Sequence, residues 1–284
     1  MLYELETHQR RWTITHPQVM AILNCTPDSF YAQSRCQTEC EISRQAERML
    51  SEGAAIIDIG GVSTRPGTAI IDIGGVSTRP GAVVADEEEE VRRLRVALSA
   101  VRRVHKDIML SVDTFRPAVA RMAVEEFGVE IINDVREGGA AANGGIMAEA
   151  ARLNSVYVLM SVQPTLARTI NVFQEKCKVL QAYGINSVIL DPGYGFGKDL
   201  EQNYALLAGQ QTIAEIFPDY PLLVGVSRKR MVYQLLGLTP EEALNGTTAL
   251  HFAALQQGAA ILRAHDVRQA HETIRIYMQL ERYR

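Results

Sequence analysis

The sequence predicts an α/β fold: a single-domain (β/α)8 barrel over residues 1–284. Three observations carry the prediction. Apolar runs alternate with helix-period segments eight times. The runs are near-continuously apolar, as strands buried on both faces of a parallel sheet must be. Most of them also end in a polar cassette, which places those side chains on the face where barrels do chemistry. An open doubly wound sheet gives the same alternation, but it gathers its polar residues at a switch point.

After a lead-in containing Trp12, the first strand is Val19–Cys25, bounded by Pro17 and Pro27. Glu39–Glu52 is helical, with Ile42, Ala46, Met49 and Leu50 on one face and Gly53 at the cap. Ala55–Ile59 is the second strand. Asp86–Val104 repeats Val91, Leu94, Leu98 and Val101 at helical spacing, and its acidic start suits the positive end of a helix dipole. Next come strand Ile108–Val112, helix Pro117–Phe127, strand Glu130–Ile132, helix Ile146–Leu153 and strand Val156–Met160. Helix Leu166–Tyr183, strand Ser187–Leu190, helix Leu200–Phe217 and strand Pro221–Val226 follow. Helical segments over Met231–Gln257, strand Ala260–Arg263 and a helix from Val267 close the chain.

A tandem duplication interrupts this order at 55–81. Ala55–Gly67 and Ala69–Gly81 both read AIIDIGGVSTRPG, with Thr68 between them, a 14-residue insertion. It occurs once and has no solenoid period. A closed barrel has one place for a second strand, so one copy is extra. The first copy follows its helix and Gly53 directly, which favours it as the strand, although the second copy fits the same place.

Bulk composition excludes several classes. With 47% hydrophobic and 22% charged residues the chain is globular and not disordered. Its 29 Lys and Arg against 33 Asp and Glu give a net charge of −4, without a basic stripe for nucleic acid. Cys25, Cys36, Cys40 and Cys177 form no CxxC pair, which fits a reducing cytoplasm. No run approaches the ~18 apolar residues of a membrane span, and no secretory signal opens the chain.

The cassettes, in order, are ILNCTPDSF ending at Phe30, DIGGVSTRPG at Gly67, SVDT at Thr114, IIND at Asp134, ILDPGYGFGK at Lys198, VSRK at Lys229 and LRAH at His265. On these seven motifs the chain resembles the dihydropteroate synthase family over nearly its whole length. The resemblance implies a TIM barrel, usually a homodimer. It joins 6-hydroxymethyl-7,8-dihydropterin pyrophosphate to p-aminobenzoate, with Mg2+, giving dihydropteroate and pyrophosphate.

The residue chemistry agrees. A pterin presents a flat edge of alternating donors and acceptors, which carboxylates and amides held in a buried slot can match. By resemblance Asp113, Asn133 and Asp191 hold that edge, Met160 and Phe196 flank the rings, and Lys229 and Arg263 complete the slot. Taken singly each aspartate reads as a helix cap; three around one rim point to a ligand. A leaving pyrophosphate needs cations and amides. Asn24, Arg263 and His265 serve it, with Thr64 and Arg65 or, from the second copy, Thr78 and Arg79. Asn24 is also expected to be the metal ligand, since magnesium takes few protein oxygens and the rest from phosphate, although an Asn before Cys-Thr-Pro-Asp could simply satisfy turn backbone. The p-aminobenzoate subsite falls to Ser227, Lys229, Arg65 and Phe30 with Pro66 or Pro80. Asn24, Lys229, Arg263 and His265 form the catalytic set, which stabilises the leaving group with no covalent nucleophile.

Three departures stand out. Tyr31 and Ala32 replace a Ser-Asp pair found in many relatives, Ser161 replaces a His, and the repeat falls in the segment that closes over the arylamine. The last suggests sulfonamide tolerance, since sulfonamides mimic p-aminobenzoate. Rival readings are a pterin-binding methyltransferase domain, which needs neither STRPG nor SRK, and a pterin-binding barrel without turnover.

Overall fold

A computed structural model describes residues 2–24, 35–60, 86–138 and 145–284. Eight parallel strands close into a barrel: β3 (Gln18–Asn24), β4 (Ile56–Gly60), β5 (Met109–Asp113), β6 (Ile131–Asp134), β7 (Val156–Met160), β8 (Val188–Asp191), β9 (Leu222–Val224) and β10 (Ala259–Ala264), with β10 pairing both β9 and β3. The first copy of the repeat supplies β4; the second, Ala69–Gly81, lies outside the described residues.

Strand alternation sorts the side chains into two cores. In β4, Ile57 and Ile59 join the layer between barrel and helices, while Ile56 joins the barrel interior with Met20, Met109, Ile131, Val156, Leu223 and Ile261. Period-2 geometry then sends Asp58 inward, one layer nearer the C-terminal rim. It pairs in register with Ser111, as Gly60 does with Asp113 and Asp113 with Asn133. The interior therefore turns from apolar to polar towards that rim.

Two strands precede the barrel, where the sequence showed only a lead-in. β1 (Tyr3–Glu6) and β2 (Arg11–Ile14) form an antiparallel hairpin whose Leu5 and Ile14 complete the interior apolar cluster, plugging the end away from the polar rim. Burying each stabilises the fold by roughly 1.5–3 kcal/mol. Glu130, 1% exposed, accepts from Arg10 Nη2 at 2.5 Å, Arg102 Nη2 at 3.3 Å and the Leu110 amide at 3.0 Å. This carboxylate ties the hairpin to the barrel.

The helices are α1 (Arg35–Ser51), α2 (Glu87–Val104), α3 (Pro117–Phe127), α4 (Gly145–Arg152), α5 (Leu166–Ala182), α6 (Leu200–Ala208), α7 (Gln210–Ile216), α8 (Arg230–Leu236), α9 (Leu244–Gln256) and α10 (Val267–Glu281). Asp86 caps α2 by accepting the Glu89 amide at 2.8 Å. The single helix expected over 200–217 is broken at Gly209, where an added Cβ would lie 2.6 Å from Leu166 Cδ2. Gly209 itself leaves the helical region there, with φ −96° and ψ 5°. Among the described residues no helix is long and apolar enough to cross a membrane.

Candidate active site

Asp58 anchors the rim. Wholly buried, it accepts from Arg263 Nε at 2.7 Å and from Asn133 Nδ2 at 3.1 Å. The same guanidinium donates through Nη2 to Asp113 at 2.9 Å. Arg263 thus bridges β4 and β5 from β10, and an isolated buried carboxylate at Asp58 is avoided. Burial opposes the charge of Arg263, but Asp58 and Asp113 outweigh it and raise its pKa. Burial pushes the Asp113 carboxyl up to about 7 against the pull of Arg263, and it raises Asp191 as well.

Lys229, just after β9, completes the cluster. Its ammonium donates to the Tyr194 carbonyl and lies 4.5 Å from the centre of the Phe196 ring. Burial pulls its pKa down to about 7, with the Asp191 carboxylate pulling it back up. Gly225 lies beside both cations: a Cβ there would make ordinary contact, 3.6 Å from Lys229 Nζ and 3.8 Å from Arg263 Cβ.

The turn after β8 is built from glycines. Gly193, Gly195 and Gly197 have φ of +69°, +81° and +59°, which side chains rarely adopt, and a Cβ on Gly193 would fall 2.0 Å from the Ser161 carbonyl oxygen. The turn tucks over Met160, which is fully buried, and holds Phe196 half-exposed at the rim. Asp191 accepts the Gly193 amide at 2.8 Å.

Ser227 is also buried. Its Oγ accepts the His265 amide at 3.1 Å and lies 3.2 Å from His265 Nδ1, so it links the turns after β9 and β10. Between Ser227 and Lys229, Arg228 adopts φ +52° and is clamped by two 2.8 Å bonds to Asp266. Asn24 ends β3 beside Gly60, half-buried.

A rim in which buried carboxylates, an amide and two buried cations interleave suits a polar heterocycle that carries an anionic leaving group. Comparison with known proteins decides the family. The profile of the family described as Pterin binding enzyme matches residues 20–69 and 66–265, the two segments overlapping inside the repeat. The dihydropteroate synthase of Escherichia coli K12 is 36% identical over 279 residues, covering 93% of this chain and 91% of that one. That of Streptococcus pyogenes serotype M6 is 34% identical over 273 residues, covering 92% and 95%. The chain belongs to the dihydropteroate synthase family.

Solved structures of the family agree in fold. Xanthomonas albilineans dihydropteroate synthase with 4-aminobenzoic acid superposes with a TM-score of 0.84 at 32% identity, covering 99% of each chain. The Yersinia pestis enzyme in complex with a sulfonamide drug gives 0.83 at 35%, covering 98% and 99%. Members of the dihydropteroate synthase family are transferases, and this chain is one of that class.

Of the residues singled out from the sequence, the structure gathers Asp113, Asn133, Met160, Asp191, Phe196, Lys229, Arg263, Ser227 and His265 at one end of the barrel, with Asn24 at the same strand ends. Ser227 is engaged with His265 and faces the wall between two turns. Phe30, Thr64, Arg65, Pro66, Thr78, Arg79 and Pro80, with Tyr31 and Ala32, lie outside the described residues. Asp58 was missed. The signal was present: a carboxylate inside the apolar AIIDI run needs a buried partner.

Proposed function

We propose that this rim binds the 2-amino-4-oxo edge of 6-hydroxymethyl-7,8-dihydropterin pyrophosphate and transfers its methylene carbon to p-aminobenzoate, releasing pyrophosphate. One observation carries the reading: Arg263 bridges Asp58 and Asp113 within electrostatic reach of Asp191 and Lys229. Asp113, Asn133 and Asp191 match the heterocycle's donors and acceptors, and Met160 and Phe196 flank its faces. Lys229 and Arg263 sit where negative charge develops as the C–O bond to pyrophosphate breaks. His265 and Asn24 approach the same leaving group from neighbouring strands. The arylamine nitrogen then attacks the methylene carbon, so alignment and leaving-group stabilisation suffice.

The donor set fits magnesium. Asn24 offers one hard amide oxygen at the rim, and Mg2+ prefers a few protein oxygens plus substrate phosphates. Among the described residues no group of three or more His, Cys, Asp or Glu side chains could form a metal cage. Asn24 would hold the ion, whose contribution is neutralising phosphate charge.

A cytoplasmic homodimer is part of this reading. At the end of α8, Leu235 and Leu236 are 55% and 48% exposed, with Leu238 beside them, an apolar face suited to a second copy. Light scattering giving a monomer mass would remove that element. The repeat is proposed to alter sulfonamide discrimination while sparing turnover; deleting residues 68–81 should then change sulfonamide inhibition, and unchanged inhibition counts against it.

The central test mixes protein, pterin pyrophosphate and Mg2+ with and without p-aminobenzoate. Pyrophosphate release that requires the arylamine is the expected result. Pterin binding without release would instead identify a barrel that has lost turnover, and absence of binding would end the proposal.

A further inference from the structure

Lys198 lies beyond the residues given a role above, yet its position is specific. Its ammonium donates to three carbonyl oxygens: Ser161 at 3.1 Å, Gly193 at 2.9 Å and Phe196 at 3.1 Å. An ammonium has three N–H donors and all three are used. Two of the acceptors belong to the glycine turn after β8; the third is the residue that follows β7. Lys198 therefore fastens the turn to a neighbouring strand end as well as to itself.

The turn needs fastening. Three glycines with positive φ give it little intrinsic order; Tyr194, wholly buried and donating to Gln210 Oε1 at 2.8 Å, anchors its start, which leaves the Phe196 end to be held by other bonds. Lys229 grips the opposite side, through the Tyr194 carbonyl and the face of Phe196. The Gly195 amide adds a 2.7 Å bond to Asn203. The turn also borders a groove of about 1010 Å3, half open to solvent and lined by Val162, Gly195, Gly197, Lys198, Arg230 and Met231, so close packing does not confine it on that side.

We propose that Lys198 is a positioning residue that holds the glycine turn as a fixed wall of the substrate slot, keeping Phe196 and the Tyr194 carbonyl against Lys229. The inference rests on the reading of the slot given above. Without Lys198 the Phe196 end of the turn loosens towards the solvent-open groove, Phe196 leaves the ammonium of Lys229, and the slot loses one wall. Burial lowers the pKa of Lys198 to about 8, with Asp191 and Glu137 pulling it back up, so the three-donor form is still protonated at neutral pH.

The test compares the wild-type chain with Lys198→Met, Lys198→Arg and Asp191→Asn. Calorimetric titration with 6-hydroxymethyl-7,8-dihydropterin pyrophosphate is paired with amide exchange over residues 193–197 and thermal unfolding. Lys198→Met is expected to weaken binding roughly 10- to 100-fold, the order set by losing a hydrogen bond to a charged group, and to speed exchange in the turn. Lys198→Arg, which keeps the charge on a planar fork that cannot face three carbonyls as an ammonium does, should fall between and serves if the Met variant does not fold. Wild-type affinity or wild-type turn exchange in the folded Lys198 variants overturns the proposal. Wild-type affinity in Asp191→Asn would instead show that the slot itself has been misread.

Discussion

Replacing Arg263 by Met removes the guanidinium but keeps most of its apolar stem. Among the described residues Asp58, wholly buried, then keeps only the Asn133 amide, and its Oδ1 has no hydrogen-bond partner there even with Arg263 in place. Removing one partner of a buried ion pair costs about 3–5 kcal/mol. At ~2.1 cal/mol/K per residue, a chain of 284 residues has an unfolding entropy near 0.6 kcal/mol/K, so the melting midpoint should fall by ~5–8 °C. Asp58→Asn in the same background removes the orphaned charge. The double variant should therefore be more stable than Arg263→Met alone, with a coupling of at least about 1.5 kcal/mol in a double-mutant cycle. Acid supplies a second arm. Asp113 already holds its proton to about 7 because of burial, and Arg263 opposes this; without Arg263 the folded carboxyl binds its proton more tightly still. A carboxyl whose folded pKa is raised adds stability at low pH and loses it as pH climbs; both proteins lose it alike between about pH 4 and pH 7, so the deficit of Arg263→Met from this group should widen only above about pH 7. Circular dichroism through thermal and urea unfolding measures all three. Strict additivity, or a deficit under ~1 kcal/mol, would refute the bridge.

Lys229, held near 7 by burial against lysine's ordinary 10.5, costs the folded state below pH 7 and is relieved as pH rises between those values, where the unfolded chain binds more protons. Lys229→Met should thus raise the melting midpoint at about pH 6.5 and lose the advantage by about pH 10; equal shifts at both would sink the assignment. Gly193→Ala meets the Ser161 carbonyl oxygen at 2.0 Å, whereas Gly184→Ala, with φ +85°, meets nothing within 4 Å. The second should cost only ~1–2 kcal/mol of left-handed strain; the first should also weaken pterin pyrophosphate binding, measured by calorimetry. Glu130→Ala leaves Arg10 and Arg102 without their shared carboxylate and should destabilise by about 1.5–3 kcal/mol in urea unfolding, with faster amide exchange in the hairpin.

The eight strands are legible because burial on both faces leaves one kind of residue to write them in, and the helices because a single apolar stripe repeats every three or four positions. The hairpin is not, since YELE and RWTI expose most of each strand and its anchoring partner, Glu130, lies 120 residues from Arg10. The polar residues at strand ends are individually visible, but their pairing is a property of closure. Arg263 finds Asp58 across 205 positions because β10 lies beside β3 and β3 beside β4. Asp58 opens the DIGGVSTRPG cassette, but the sequence gives it no partner for the same reason: within β4 it has only isoleucines for neighbours, and its purpose appears when a guanidinium arrives from the other end of the chain. A barrel lets each strand contribute one or two polar groups at little local cost, so the site's electrostatics emerge only when the ring is shut. The same logic explains why Lys198 looked like the end of a motif and proves, in three dimensions, to join two strands.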